Sequence, residues 1–161
     1  MTLTTISGLP AHALLVHALV VLAPLTALLE ILCALWPAAR RRLVWLVVAF
    51  AVVTTALTPV TVNAGGWLYD QQSHHSDILN THAERGGWMI YFSVAMLVVA
   101  VVLAWVHWRE SRAAKPGLSV TLAVAVLAIA VGTASIVQVV RIGDSGAQAV
   151  WGNELSKSGK P

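Results

Sequence analysis

The sequence predicts an all-α integral membrane protein, a four-helix bundle with both termini outside. Three observations predict it. Four apolar stretches cover residues 11–36, 43–67, 86–108 and 117–140, and about 20 apolar residues suffice for a helix to cross a hydrocarbon core about 30 Å thick. Within those stretches Glu30 is the only Asp, Glu, Lys or Arg. Charged residues make up 11% of the 161-residue chain and hydrophobic ones 58%, whereas a soluble domain carries about 25% charge. Lipid leaves only helices or closed barrels as spanning structures. The stretches lack two-residue alternation, so they are helices.

Each element follows from local signals. Ser7-Gly8-Leu9-Pro10 reads as the start of the first helix, a cap residue followed by an early proline. Residues 1–9 carry no Lys or Arg, and a cleavable signal peptide wants a positive start, so the first span is read as retained. Pro24 should bend it. The connection 37–42 holds Arg40, Arg41 and Arg42. In the second span Pro59 should bend the helix, and Thr54, Thr55, Thr58 and Thr61 should pack and bond back to carbonyls. Gly65-Gly66 should end it. The outer loop 68–85 contains His74, His75 and His82. The third span opens on Gly86-Gly87, where the lack of side chains admits a close approach. The connection 109–116 holds Arg109, Arg112 and Lys115, and Pro116-Gly117 opens the fourth span. The tail 141–161 reads as an outer segment folded over the helix ends, with Val150 and Trp151 as its apolar anchor.

The basic residues set the orientation. The first and third connections hold six of the ten Lys and Arg residues, and positive loops stay in the cytoplasm. Both termini and the histidine-containing loop are then outside. A net charge of +3 follows from this clustering, without nucleic acid as a partner. Cys33 is the only cysteine; it forms no intrachain disulfide and reads as a small buried apolar residue. No Ser-His-Asp order, nucleotide-binding glycine loop or cysteine-pair zinc motif appears, so independent catalysis is not expected.

The polar residues share a depth. Counting about 20 residues outward along each helix from the arginine side arrives near His17, Asn63, His82 and Arg141. The inner half has only Glu30 and, at its rim, His107. This asymmetry points to one site near the outer edge of the hydrocarbon. His12 is rotated about 140° from His17, at about 100° per residue, so a straight helix aims only one of them at that site. His17 is taken as that residue and His12 as an interfacial group.

Imidazole ligates haem iron, zinc and copper through one nitrogen while the other is oriented by a hydrogen bond. A b-type haem between helices needs two axial histidines, small residues beside the ring and bases for two propionates. His17 and His82 fill the first role, Gly86 and Gly87 the second, Arg85 and Arg141 the third. An alternative outer site of His12, His74, His75 and Glu84 would take copper or zinc. The other alternative is no cofactor at all, in an accessory subunit of a larger membrane complex or a homo-oligomer, with Gly132, Ala134 and Ser135 at helix contacts.

The segment Leu9-Pro10-Ala11-His12-Ala13-Leu14-Leu15-Val16-His17, followed by His82-Ala83 and Arg141-Ile142-Gly143, resembles the bacterial membrane family catalogued as domain of unknown function 2231. The resemblance covers nearly the whole chain. It departs from the family pattern at Ala13, Ala18 and Leu19, where Pro, Phe and Pro are usual. It implies four spans in a bacterial inner membrane. Some members carry a Rieske iron–sulfur domain after the spans, which implies an electron-transfer setting. The expectation from residues and resemblance together is a small redox protein with one haem b in the outer leaflet. Its partners would be the lipid bilayer and either a quinol or a periplasmic redox protein.

Overall fold

A computed structural model describes residues 5–6, 9–112 and 116–158; Ser7, Gly8, Lys115 and the end of the tail lie outside them. The chain forms four helices: α1 (Ala11–Leu35), α2 (Pro37–Asp70), α3 (Asp77–Ser111) and α4 (Leu118–Ser158). A two-residue antiparallel pairing of Thr5–Ile6 with Leu9–Pro10 precedes α1. All four helices are long and apolar enough to cross a membrane. The protein is therefore an all-α, multi-pass membrane protein whose surroundings are a lipid bilayer.

α1 packs on α2 and α4, and α3 packs on the same two, while α1 and α3 meet only thinly across the diagonal. This is an up-and-down square. One end carries Arg40 to Arg42 and Arg109; the other carries His12, His17 and His82. They are called the arginine end and the histidine end. The bundle is inside-out relative to a soluble one. Bulky Val21, Leu28, Leu35, Val98, Val101 and Val126 are exposed, and so are all seven tryptophans. Small Ala23, Ala27, Ala51, Ala100 and Ala128 are buried. Small interior residues let helix backbones approach closely, which is how helices associate in lipid. One close backbone approach is at Gly132 on α4, where a Cβ would stand 2.9 Å from Ile31 Cδ1 and 3.3 Å from the Ala27 carbonyl oxygen.

Four element boundaries differ from the sequence reading. Residues 37–42 are the first turns of α2, not a loop. Trp36 is its extended N-cap and Pro37 sits at the first helical position, where a missing N–H costs nothing and φ is already set. α2 does not stop at Gly65-Gly66 but runs on to Asp70. α3 begins at Asp77, nine residues before the apolar run. Ser76 caps it, accepting from the Leu79 N–H at 3.3 Å, and Asp77 lies in the first turn, where the helix dipole favours a negative charge. Finally, α4 continues unbroken through residue 141 to Ser158, so the predicted folded-over tail is helix. Pro24 and Pro59 both lie inside continuous helices.

The arginine end is locked. Arg40 is 2% exposed. Its Nη2 and Nε donate to the two Glu110 oxygens at 2.6 and 3.3 Å, and its Nη1 donates to the Cys33 carbonyl at 2.8 Å. One guanidinium thereby ties the start of α2 to the end of α3 and satisfies a last-turn carbonyl of α1. Arg112 lies over the Trp108 ring at 4.3 Å, and Arg109 over Trp105 at 5.2 Å.

Candidate functional site

The histidine end is arranged around two rings. His12 stands in the first turn of α1, and its Nδ1 lies 3.0 Å from the Thr61 carbonyl oxygen on α2. His82 stands in the second turn of α3, and its Nδ1 lies 3.1 Å from the Ile142 carbonyl oxygen on α4. A carbonyl oxygen only accepts, so each Nδ1 carries the proton and donates. In the neutral ring Nε2 then presents a lone pair. Neither Nε2 has a protein hydrogen-bond partner among the described residues.

The two halves repeat one construction. Four residues beyond each accepting carbonyl comes a glycine, Gly65 after Thr61 and Gly146 after Ile142, one turn on and on the same face. A Cβ at Gly65 would stand 2.8 Å from His12 Cε1, and one at Gly146 2.9 Å from His82 Cε1. Each imidazole is thus pinned edge-on to a neighbouring helix by a carbonyl and a bare glycine. The ring centres are 6.3 Å apart and the ring planes stand at 85°.

Both rings line one cleft of about 390 Å³, within the range of about 300–1,000 Å³ common for small-molecule sites. Its walls are largely apolar, including Val16, Leu19, Leu79, Val139 and Ile142. Thr58 and Thr61 lie on its inner side, with Tyr69, Gln72 and Ser76 also on its lining. Gly66, Gly86 and Gly87 also line it, and a Cβ added at any of the three would meet nothing within 4 Å. Bare backbone therefore faces open space there.

The structure brings together a different pair from the one the sequence suggested. His17 is exposed on the outside of α1. Its Nδ1 bonds the Ala13 carbonyl of its own helix, and it does not line the cleft. His12 takes its place. Of the predicted ring cradle, Gly86 and Gly87 are on the cleft. The predicted propionate bases are not. Arg85 and Arg141 line a separate cleft with Glu84, Trp88 and Gln138. There Arg85 Nη1 donates to the Arg141 carbonyl at 3.1 Å, and Gln138 Nε2 to the Arg85 carbonyl at 2.8 Å. The alternative set of His12, His74, His75 and Glu84 is not gathered either. His75 stacks on Tyr69 at 4.0 Å and bonds its carbonyl at 3.1 Å. Among the described residues no group of three or more His, Cys, Asp or Glu could hold a metal ion.

A signal for His12 was present. His12, Leu19, Thr26 and Cys33 recur every seven residues, and Ala23 and Glu30 fall on the same side. All but the half-buried His12 are buried. His17 shares its side of α1 with Val21 and Leu28, which are exposed. A histidine in register with Thr, Glu and Ala faces the bundle; one in register with bulky aliphatics faces lipid.

The family model described as "Predicted membrane protein (DUF2231)" matches residues 8–159, so the chain belongs to that family. No curated protein and no solved structure matches it.

Proposed function

For this member of the DUF2231 family, we propose an electron-transfer role in which one b-type haem is held between His12 and His82. The observation that carries this reading is the count and spacing of the two imidazoles. Two imidazoles ligating one metal from opposite sides, at about 2.0–2.1 Å each, have ring centres about 6 Å apart. The separation of 6.3 Å fits that arrangement. A zinc site asks the protein for three or four ligands. Haem iron brings its own macrocycle nitrogens and asks only for axial ones.

The residues fit the group in two further respects. Gly66, Gly86 and Gly87 put bare backbone on the cleft that His12 and His82 line, where a flat macrocycle would pack. The carbonyls of Thr61 and Ile142 fix ring orientation and make each imidazole a better ligand. Arg85 and Arg141 line another cleft, so the propionates would meet the neutral side chains of Gln72 and Ser76 in place of bases. When bound, the haem supplies one-electron transfer. The chain would hold it through His12 and His82, and the largely apolar walls of the cleft would tune its potential. Arg41, Arg42, Arg109 and Arg112 support a cytoplasmic arginine end; the cleft would then face the outer leaflet, within reach of a quinol or an outer redox protein. A bacterial inner membrane is the setting that the family resemblance supports.

The test is a visible absorption spectrum of protein purified after haem supplementation. A Soret band of a six-coordinate, bis-histidine type is expected. His12→Ala and His82→Ala should each abolish it, and His17→Ala should leave it intact. A folded protein that stays colourless overturns the proposal.

A further inference from the structure

The interior below the cleft holds a second polar group with no structural partner. Glu30 on α1 is 0% exposed, and among the described residues neither carboxyl oxygen has a hydrogen-bond partner. Removing a carboxylate from water without a counter-charge is costly, and intramembrane ionisable residues are by default functional. The nearby cation does not serve it. Arg40 is committed to Glu110 and the Cys33 carbonyl, and that pair is the only ion pair among the described residues.

The two sides of Glu30 differ in chemistry. Toward the arginine end lie the closely packed Cys33, Ala34, Val44, Val47, Leu103 and Val106, then the guanidinium of Arg40. That side offers apolar packing and an ion pair already closed by Glu110, with no hydroxyl among those residues. Toward the histidine end lie buried hydroxyls. Thr26 stands one turn from Glu30 on α1, and its Oγ1 is 3.5 Å from Thr54 Oγ1 on α2. Thr58, one turn further on α2, donates to the Thr54 carbonyl at 2.7 Å and lines the cleft. Thr26, Thr54 and Thr58 are each 0% exposed. These three hydroxyls stand at successive turns between Glu30 and the cleft, over about two helical turns or roughly 11 Å; Thr26 and Thr58 donate to the Leu22 and Thr54 carbonyls, so a relay requires their O–H groups to rotate.

We propose that Glu30 is a proton-binding site in the membrane interior, and that it exchanges its proton with the histidine-end cleft through Thr26, Thr54 and Thr58. The exchange is balanced. The carboxyl O–H bond breaks, the proton passes along the hydroxyls to water in the cleft, and a proton returning by the same route restores the neutral acid. The inference is independent of what the cleft holds, so it can fail or stand apart from the haem proposal.

Infrared spectroscopy of the purified full-length protein at neutral pH tests it. A carbonyl band of a protonated carboxylic acid is expected. Isotope-labelled glutamate should shift it, and Glu30→Gln should remove it. In D2O the band should move as the proton exchanges. Thr54→Val with Thr58→Val should slow that exchange by roughly tenfold or more, the factor set by about 1.4 kcal/mol of added barrier. If Glu30→Gln fails to fold, the isotope shift and the exchange rate in the unmutated sequence still decide. Absence of a protonated glutamic acid band overturns the proposal. So does an exchange rate unchanged in a folded double variant.

Discussion

The two ends of the bundle use polar residues in opposite ways. At the arginine end a charged pair closes the structure: Arg40 is buried, forked onto Glu110 and bonded to the Cys33 carbonyl. Three of its five N–H donors are used on groups of the bundle itself. At the histidine end the polar atoms are held but not consumed. His12 and His82 each use Nδ1 on a backbone carbonyl, and around them three glycines face open space. A polar group that crosslinks helices stabilises them. One oriented through a single ring nitrogen keeps the other for another molecule. The lesson is that burial and polarity by themselves do not mark a site; an unused donor or acceptor beside empty space does.

Substitutions at the two ends should break this contrast, starting at the arginine end. Glu110→Ala leaves Arg40 buried without its counter-charge, and truncating one partner of a buried pair costs about 3–5 kcal/mol. Its unfolding in detergent should shift the furthest of any variant here. If it unfolds like the parent, the lock is not a lock. Next come the close-approach glycines. Gly65→Ala and Gly146→Ala each put a Cβ under 3 Å from an imidazole, and Gly132→Ala one 3.3 Å from a backbone oxygen. Overpacking of this kind costs about 1–3 kcal/mol. The first two should also lose any ligand held by the ring pair, measured by absorbance, while Gly132→Ala should not. Gly66→Ala, with open space around it, serves as the internal control and should match the parent in stability.

Ser76→Ala removes the cap of α3 and should cost about 1 kcal/mol, with faster amide exchange confined to the first turn of that helix. The smallest effect belongs to His17→Ala. Its ring is exposed and bonded only to its own helix, so stability should move by less than about 0.5 kcal/mol. A large loss of stability or of ligand there would return His17 to the site and remove His12 from it.

The depth of the site was legible in the sequence. Counting from the arginine loops placed His82 and the rim of the hydrocarbon at one level, and the structure puts the cleft at that end. Rotation was harder to read. The 140° between His12 and His17 was recognised, but the choice between them needs to know which side of α1 faces its neighbours. That is written only in the heptad register with Ala23, Thr26 and Glu30. Arg85 and Arg141 show the same difficulty: their depth predicted proximity, and they are indeed neighbours, but on a different face from the histidines. Arg40 illustrates a third case. As a loop residue it reads as a topology signal; one helical turn and a carboxylate on α3 make it a core residue.

Composition and span length alone determined that this chain is a membrane-spanning bundle of four helices, because backbone groups in lipid have no other partner and about 20 apolar residues have no other purpose. Only the tertiary structure decided which imidazoles meet. Ring positions depend on helix rotation and on bare glycines at 65 and 146, each set by packing against another helix, and a one-dimensional pattern of hydropathy carries depth but not azimuth.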